Sequence, residues 1–319
     1  MKGYIEQAFK GYTDWWRYLV GVFFIVIIWI IGSSIQQVFV FLKLMKEGFS
    51  EDEIMQKLTD FNVIMTTLES NLNFFLLLLG FAFGFGAIIL VVKIFHQLDM
   101  KNLITTRPKI DWKRVGLSFG IITVFISGSI LLDYKLSPEN YEYNFELNRF
   151  LILALIGIVM VPIQTTFEEL YFRGYLMQGL GSVFKSRAVA LILTSVLFGA
   201  LHFGNPEIGK LGNELLITYI GTGFLLGIMT LMDDGLELAI GFHAGNNLLT
   251  ALLVTSDWTV FQTYSVLRFT GEPSVISDIY IPIFVIYPIL ILIFARLYKW
   301  KNWKTKLFGK VEKELPAKV

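Results

Sequence analysis

Residues 167–176 read FEELYFRGYL, with two adjacent carboxylates and an arginine following directly on an apolar run of the kind that lies in lipid. Ionisable side chains at bilayer depth are costly, so each one placed there points to a function and calls for a partner. The fold turns on whether a membrane helix stops before this stretch or runs through it. If the helix stops at Thr166 the charges sit at a membrane surface; if it continues, they lie inside.

The surrounding composition favours lipid. Of 319 residues, 55% are hydrophobic and 15% aromatic, well away from the balance of a soluble domain. The absence of cysteine excludes disulfides, thiolate metal ligands and a cysteine nucleophile. A formal net charge of +1 excludes a strongly basic nucleic-acid binder, so no nucleic-acid partner is expected. The first apolar stretch, YLVGVFFIVIIWIIGSSIQQVFVFL (18–42), follows Lys2, Lys10 and Arg17. It is too long for the apolar region of a signal peptide and no small-residue cleavage site follows, so it reads as a retained span.

Eight stretches have the length and apolarity of a crossing: 18–42, 72–95, 115–132, 150–178, 187–203, 215–232, 236–255 and 279–298. The predicted fold is therefore all-α, a polytopic membrane protein of about eight transmembrane helices in a single domain, 1–319. With the N-terminus inside, Lys and Arg number three in 1–18, six in 93–114, three in 170–187 and eight in 296–319. That leaves seven of the 27 for the other face, so both termini are expected to be cytoplasmic, in a membrane read as a prokaryotic plasma membrane. Between the first two spans, Ser50 and Glu53 have capping-box spacing, which predicts a short helix on the outer surface. Residues 133–149 read as a polar loop. The tail KWKNWKTKLFGK interleaves Trp, Phe and Lys as an interfacial anchor does.

Few polar groups fall within the spans: Glu168, Glu169 and Arg173 on the fourth, His202 at the end of the fifth, and His243 with Asn247 on the seventh. His96, at the end of the second span, reads as interfacial. Residues four apart share a helix face, so Glu169 can pair with Arg173. Glu168 is rotated by about 100° from Glu169 and faces elsewhere, with Gln164 on roughly the same side. Phe198 lies one turn below His202 and can wall off its ring. His243 and Asn247 face one direction. Gly199, Ala200, Gly241, Ala244 and Gly245 let neighbouring helices approach closely. At about 1.5 Å per residue, Glu168 meets His202 in depth only if the fourth helix continues to about Gln178, with Pro162 loosening the helix before the motif.

A carboxylate among apolar helices suits general acid/base work. Glu168 could activate a water for attack on a peptide carbonyl, His202 could share that role, and His243 with Asn247 could donate to the developing oxyanion. No cofactor is needed for this version. A zinc version uses Glu168 or Glu169 with His202 and His243 as ligands and one position for water, although HExxH is absent. A different class of function also fits a polar cavity in lipid: a non-catalytic immunity or scaffold protein, or a proton-coupled transporter. No inverted repeat supports the transporter.

EELYFRG, FGALH and HAGNN, in that order, resemble the three motifs EExxxR, FxxxH and HxxxN of the CAAX prenyl protease and bacteriocin-processing group of intramembrane proteases, also called the Abi family. The match covers residues 150–255 as a four-helix catalytic core. The resemblance implies a glutamate-dependent endopeptidase of the membrane, with Glu168 activating water beside His202. It implies His243 and Asn247 as the oxyanion-stabilising pair, with Glu169, Arg173 and Phe198 in support. Its members are often described as metalloproteases. The implied partners are the lipid bilayer and a membrane-associated peptide or protein substrate, prenylated or not.

Overall fold

The computed structural model describes residues 3–313; Lys2 and Lys318, both counted in the charge balance, lie outside them. The chain is almost entirely helical, with six helices long and apolar enough to cross a membrane. Helix α1 spans Trp15–Lys46. Two short helices, α2 (Glu51–Lys57) and α3 (Phe61–Thr67), precede α4 (Ser70–Phe95). Next come α5 (Met100–Ile104), α6 (Trp112–Leu136) and α7 (Leu147–Glu169). The wide π-helical turns of Leu170–Leu176 carry α7 without a break into α8 (Met177–Phe184). Helix α9 is Arg187–Leu201, α10 Glu207–Leu211, α11 Leu215–Asp233 and α12 Glu237–Leu253. The last crossing, Ile276–Leu297, ends in α13 (Tyr287–Leu297), and α14 (Trp303–Phe308) follows.

All eight expected spans are helices, but α9 and α12 are short. At 15 and 17 residues they lie at or below the lower limit of a full crossing; α12 is largely buried, whereas α9 turns Ile192, Val196 and Leu197 outward. Helix α7 shows the sorting of faces. Leu151, Leu155 and Ile158 point outward, whereas Gly157, Val161, Gln164, Thr165 and Glu168 are buried. Apolar residues thus face lipid and the polar ones face other helices, the arrangement membrane bundles require.

Small residues set the closest approaches. A Cβ on Gly199 would lie 2.3 Å from Ile220 of α11, and one on Gly241 would lie 2.2 Å from the Val115 carbonyl of α6. Neither position admits a side chain without moving a helix. Ala244 is buried as expected, while Ala200 faces outward.

One end of the bundle is tied together by polar contacts between distant segments. Arg187 pairs with Glu6, Lys10 Nζ donates to Asn102 Oδ1 at 2.9 Å, and Lys306 pairs with Asp234. The aromatic tail is therefore docked against the α11–α12 turn, with Leu307 buried. His96 belongs to the same end, but it is buried, not interfacial: its ring bridges the Tyr12 carbonyl at 2.7 Å and the Tyr175 hydroxyl at 2.9 Å.

At the opposite end the expected capping box is present, with Ser50 N donating to Glu53 Oε2 at 2.8 Å. The segment read as a loop, 133–149, is more ordered than that. Helix α6 extends to Leu136, and β1 (Tyr141–Tyr143) joins a three-stranded sheet with β2 (Val254–Thr255) and β3 (Leu267–Phe269) in the order β1-β3-β2. Strand β1 pairs antiparallel with β3, and β2 pairs parallel with it. These strands are too short for a period-two pattern to stand out from the turn residues around them.

Candidate active site

The helix carrying FEELYFRGYL runs past the expected Gln178 to Phe184. Glu168 then lies about 24 Å from that end, and His202 about 22 Å from the start of α9, at about 1.5 Å per residue. The two heights match. Helix α7 runs on through Pro162, and wide turns follow the two glutamates at 170–176, a kind of distortion found often at functional sites.

Arg173 anchors the cluster. Fully buried, it donates from Nη1 to Glu169 Oε1 at 2.9 Å and from Nη2 to the Gly223 carbonyl of α11 at 3.3 Å. Its guanidinium lies 4.3 Å from the centre of the Phe198 ring, a cation–π contact in desolvated surroundings. Phe198 is a hub. Its ring centre is 4.6 Å from that of His202 and 6.1 Å from that of His243.

Glu169 has two partners where sequence spacing indicated one. His243 Nδ1 donates to the same Oε1 at 2.8 Å, so the motif helix also orients the histidine of α12. With Nδ1–H committed there, His243 Nε2 faces Glu168 Oε2 at 3.6 Å. Glu168 Oε1 accepts from Gln164 Nε2 at 2.8 Å, and Gln164 Oε1 accepts from Asn247 Nδ2 at 3.3 Å. Glu168 Oε2 is buried with no protein partner among the described residues, as are Glu169 Oε2 and Arg173 Nε. Buried polar atoms are nearly always satisfied, so an unfilled carboxylate oxygen marks a place where water or a ligand group completes the site.

His202 caps α9 and approaches the Phe198 carbonyl with Nδ1 at 2.6 Å. Donation from Nδ1 leaves Nε2 as the acceptor of the neutral ring. The imidazole is held between Phe198 and Tyr219 of α11, whose ring centre lies 4.4 Å away at an interplanar angle of 24°. The structure thus gathers Glu168, Glu169, Arg173, Phe198, His202, His243 and Asn247. It adds Tyr219 and the Gly223 carbonyl, which no motif spacing reveals because α11 carries no ionisable group in its middle. Gln164 was legible, one helical turn before Glu168, as a neighbour without an assigned role. Asn246 Nδ2 donates to Asn247 Oδ1 at 3.1 Å; in HAGNN it adjoins a site residue without matching the motif.

A zinc ion needs three protein donors converging on one point with a fourth position open. Among the described residues no three His, Asp or Glu side chains are arranged to hold a metal ion. His243 and the two glutamates are close, and with Nδ1 directed at Glu169 the ring has Nε2 left for any other partner.

Residues 148–249 match the family described as type II CAAX prenyl endopeptidase Rce1-like. The chain is also similar to the uncharacterized protein YyaK of Bacillus subtilis (strain 168), with 32% identity over 184 residues. That alignment spans 57% of this chain and 61% of the relative, just under two thirds of its length. No solved structure matches the chain. The two glutamates, the arginine and both site histidines all lie in the segment of this integral membrane protein that matches the Rce1-like CAAX prenyl endopeptidase family.

Proposed function

We propose that the chain is an intramembrane endopeptidase that hydrolyses a peptide bond of a membrane-associated substrate with water activated by Glu168. The observation that carries this reading is Glu168 Oε2, buried, without a hydrogen-bond partner among the described residues, and 3.6 Å from His243 Nε2. In this reading Oε2 takes a proton from a water whose oxygen attacks the scissile carbonyl carbon. His202, with Nδ1 bound to the Phe198 carbonyl, accepts from that water through Nε2. His243, as an imidazolium with a proton on Nε2 as well as the one Nδ1 gives to Glu169, and the second amide hydrogen of Asn247 stabilise the oxyanion; the first amide hydrogen is taken by Gln164. The C–N bond breaks as the proton on Glu168 passes to the leaving amine, which regenerates the carboxylate and gives one acid and one amine product. Glu169 and Arg173 hold His243 and the motif helix in place. No metal ion takes part in these steps.

The end of the bundle that carries Lys10, Lys101, Arg107, Lys109, Arg187 and Lys306 is the cytoplasmic one in this reading, by the positive-inside rule. Arg173 is removed from that count because it is buried at the site. The test is comparative peptidomics of membranes from cells carrying wild type, Glu168→Ala or His202→Ala at equal abundance. A peptide product present with wild type and lost with both variants supports the proposal; identical profiles overturn it. Full activity of purified protein after exhaustive chelation, with no metal by elemental analysis, supports the metal-free chemistry; loss on chelation and recovery with zinc overturns it.

A further inference from the structure

Three side-chain amides at the site point the same way. Asn246 Nδ2 donates to Asn247 Oδ1 at 3.1 Å, Asn247 Nδ2 donates to Gln164 Oε1 at 3.3 Å, and Gln164 Nε2 donates to Glu168 Oε1 at 2.8 Å. Each amide has a donor end and an acceptor end, so the orientation of the first fixes the second, the second fixes the third, and the last donor meets the carboxylate. The chain crosses from α12 to α7, and Gln164 and Glu168 are both buried. A reversed Gln164 would set its carbonyl oxygen against a carboxylate oxygen and its NH2 against the Asn247 NH2, two mismatches at once in a low-dielectric setting.

We propose that Asn246, Asn247 and Gln164 form a one-directional amide relay that fixes the Glu168 carboxylate by Oε1 and so selects Oε2 as its reacting oxygen, with Gln164 as the positioning residue. A carboxylate has two equivalent oxygens and a terminal torsion with a broad, two-fold profile. Without a partner on Oε1 the group turns, and the oxygen facing His243 Nε2 is no longer held. The relay restricts that torsion from outside the reacting zone, since the Asn246 amide donates to Asn247 and makes no hydrogen bond to Glu168 or His243 among the described residues. Neither Gln164 nor Asn246 is among the motif positions, and the relay gives both a role. Its catalytic consequence rests on the peptidase reading; the restraint on Glu168 does not.

The experiment therefore has two readouts on the purified full chain in lipid vesicles. The first is the rate at which a hydrophobic carbodiimide, a reagent for carboxyl groups in apolar surroundings, modifies Glu168, followed by peptide mass spectrometry. Gln164→Met, close in volume with no donor, frees the carboxylate and raises the rate severalfold. Asn246→Ala raises it by a smaller factor, although it opens no path to Glu168. Gln164→Glu retains the acceptor for Asn247 but places a carboxylate where the donor stood, and does not restore the slow rate. Wild-type rates in Gln164→Met and Asn246→Ala overturn the relay. The second readout is cleavage of a quenched fluorescent peptide ending in a farnesylated CAAX sequence. Gln164→Met lowers kcat by about 10- to 100-fold, the scale of a misplaced reacting group, and leaves KM within about twofold, as expected when only transition-state geometry is lost. A changed KM with unchanged kcat overturns the positioning role. Retained cleavage in Glu168→Ala overturns the peptidase mechanism and leaves the carbodiimide result to decide the relay by itself.

Discussion

Glu168, Glu169, Arg173 and His243 in the middle of the core, and Asp233, Glu237, Arg107 and Arg114 beside the α11–α12 turn, are both sets of two carboxylates and two basic side chains. In the second set every carboxylate oxygen is met. Arg107 Nη2 donates to Asp233 Oδ2 at 2.7 Å and Nη1 to Glu237 Oε2 at 3.0 Å. Arg114 and the Trp300 indole donate to Asp233 Oδ1, and Asp111 N donates to Glu237 Oε1 at 3.3 Å. In the first set one oxygen of each glutamate and Arg173 Nε lack partners among the described residues. Satisfied clusters hold parts of a fold together, whereas an incomplete one is retained because something else completes it. The contrast sets a closed cluster apart from one with hydrogen-bonding capacity left over.

Stability measurements can break that distinction, and the largest effect is expected at Arg173. Arg173→Leu leaves Glu169, which has no exposure, with His243 as its one remaining partner among the described residues and removes the tie to Gly223 on α11. Breaking a buried pair from one side costs about 3 to 5 kcal/mol. Thermal unfolding in detergent, followed by loss of the monodisperse species, should show a large drop in Tm. A drop no larger than that of a surface arginine variant such as Arg149→Leu contradicts the anchoring role.

A smaller loss is expected in the fastening cluster. Asp233→Ala removes the acceptor shared by Arg107, Arg114 and Trp300. Both arginines keep some contact with solvent, at 21% and 19% side-chain exposure, so the cost is about 2 to 3 kcal/mol, the range of one or two hydrogen bonds to charged groups. In the same assay Glu168→Gln changes stability by less than about 1 kcal/mol, because Oε2 makes no hydrogen bond among the described residues and the replacement amide removes a buried charge. Cleavage responds in the opposite order, absent in Glu168→Gln and retained in Asp233→Ala at temperatures where that variant is folded. If Glu168→Gln destabilises more than Asp233→Ala, the incomplete cluster is structural after all.

The two clusters also differ in how far they were legible in the sequence. Glu169 and Arg173, and likewise His243 and Asn247, sit four residues apart on one helix, and helical spacing alone places each pair on one face. The need for depth to match is likewise local arithmetic, and it correctly demanded that the fourth helix pass through FEELYFRGYL. Contacts between helices were not available in the same way. That His243 turns its Nδ1 to Glu169, 74 residues earlier, depends on the rotation of α12 against α7, which packing of Gly241 against α6 sets. Arg107 and Asp233 are 126 residues apart and read in the sequence as unrelated loop charges. His96 was placed at a surface because histidine near a span end is common there; its burial depends on Tyr175, on a helix whose continuation also had to be inferred.

The last and smallest effect tests the surface beside the site, where α10 lies between α9 and α11. Burial raises the carboxyl of Glu207 above its ordinary range, against a smaller lowering by the hydrogen bond that Val260 N donates to it at 2.8 Å. Its Oε2 is buried without a partner among the described residues. A carboxyl whose value is raised in the folded state binds more protons folded than unfolded between the two values, so stability falls as pH rises through that window and levels off above it. The stabilising neutral form is thus fully present below the ordinary carboxylate range. Glu207→Gln keeps an oxygen for Val260 N and has no proton to lose, so the fall in Tm with rising pH across this window should be shallower than in wild type, with the two curves closest at the acid end. Because Tyr219 spans from this segment to the His202 ring, with its hydroxyl accepting from Asn205 Nδ2 at 3.1 Å, a parallel pH slope in both proteins would show that the buried carboxyl contributes nothing to holding that side of the site.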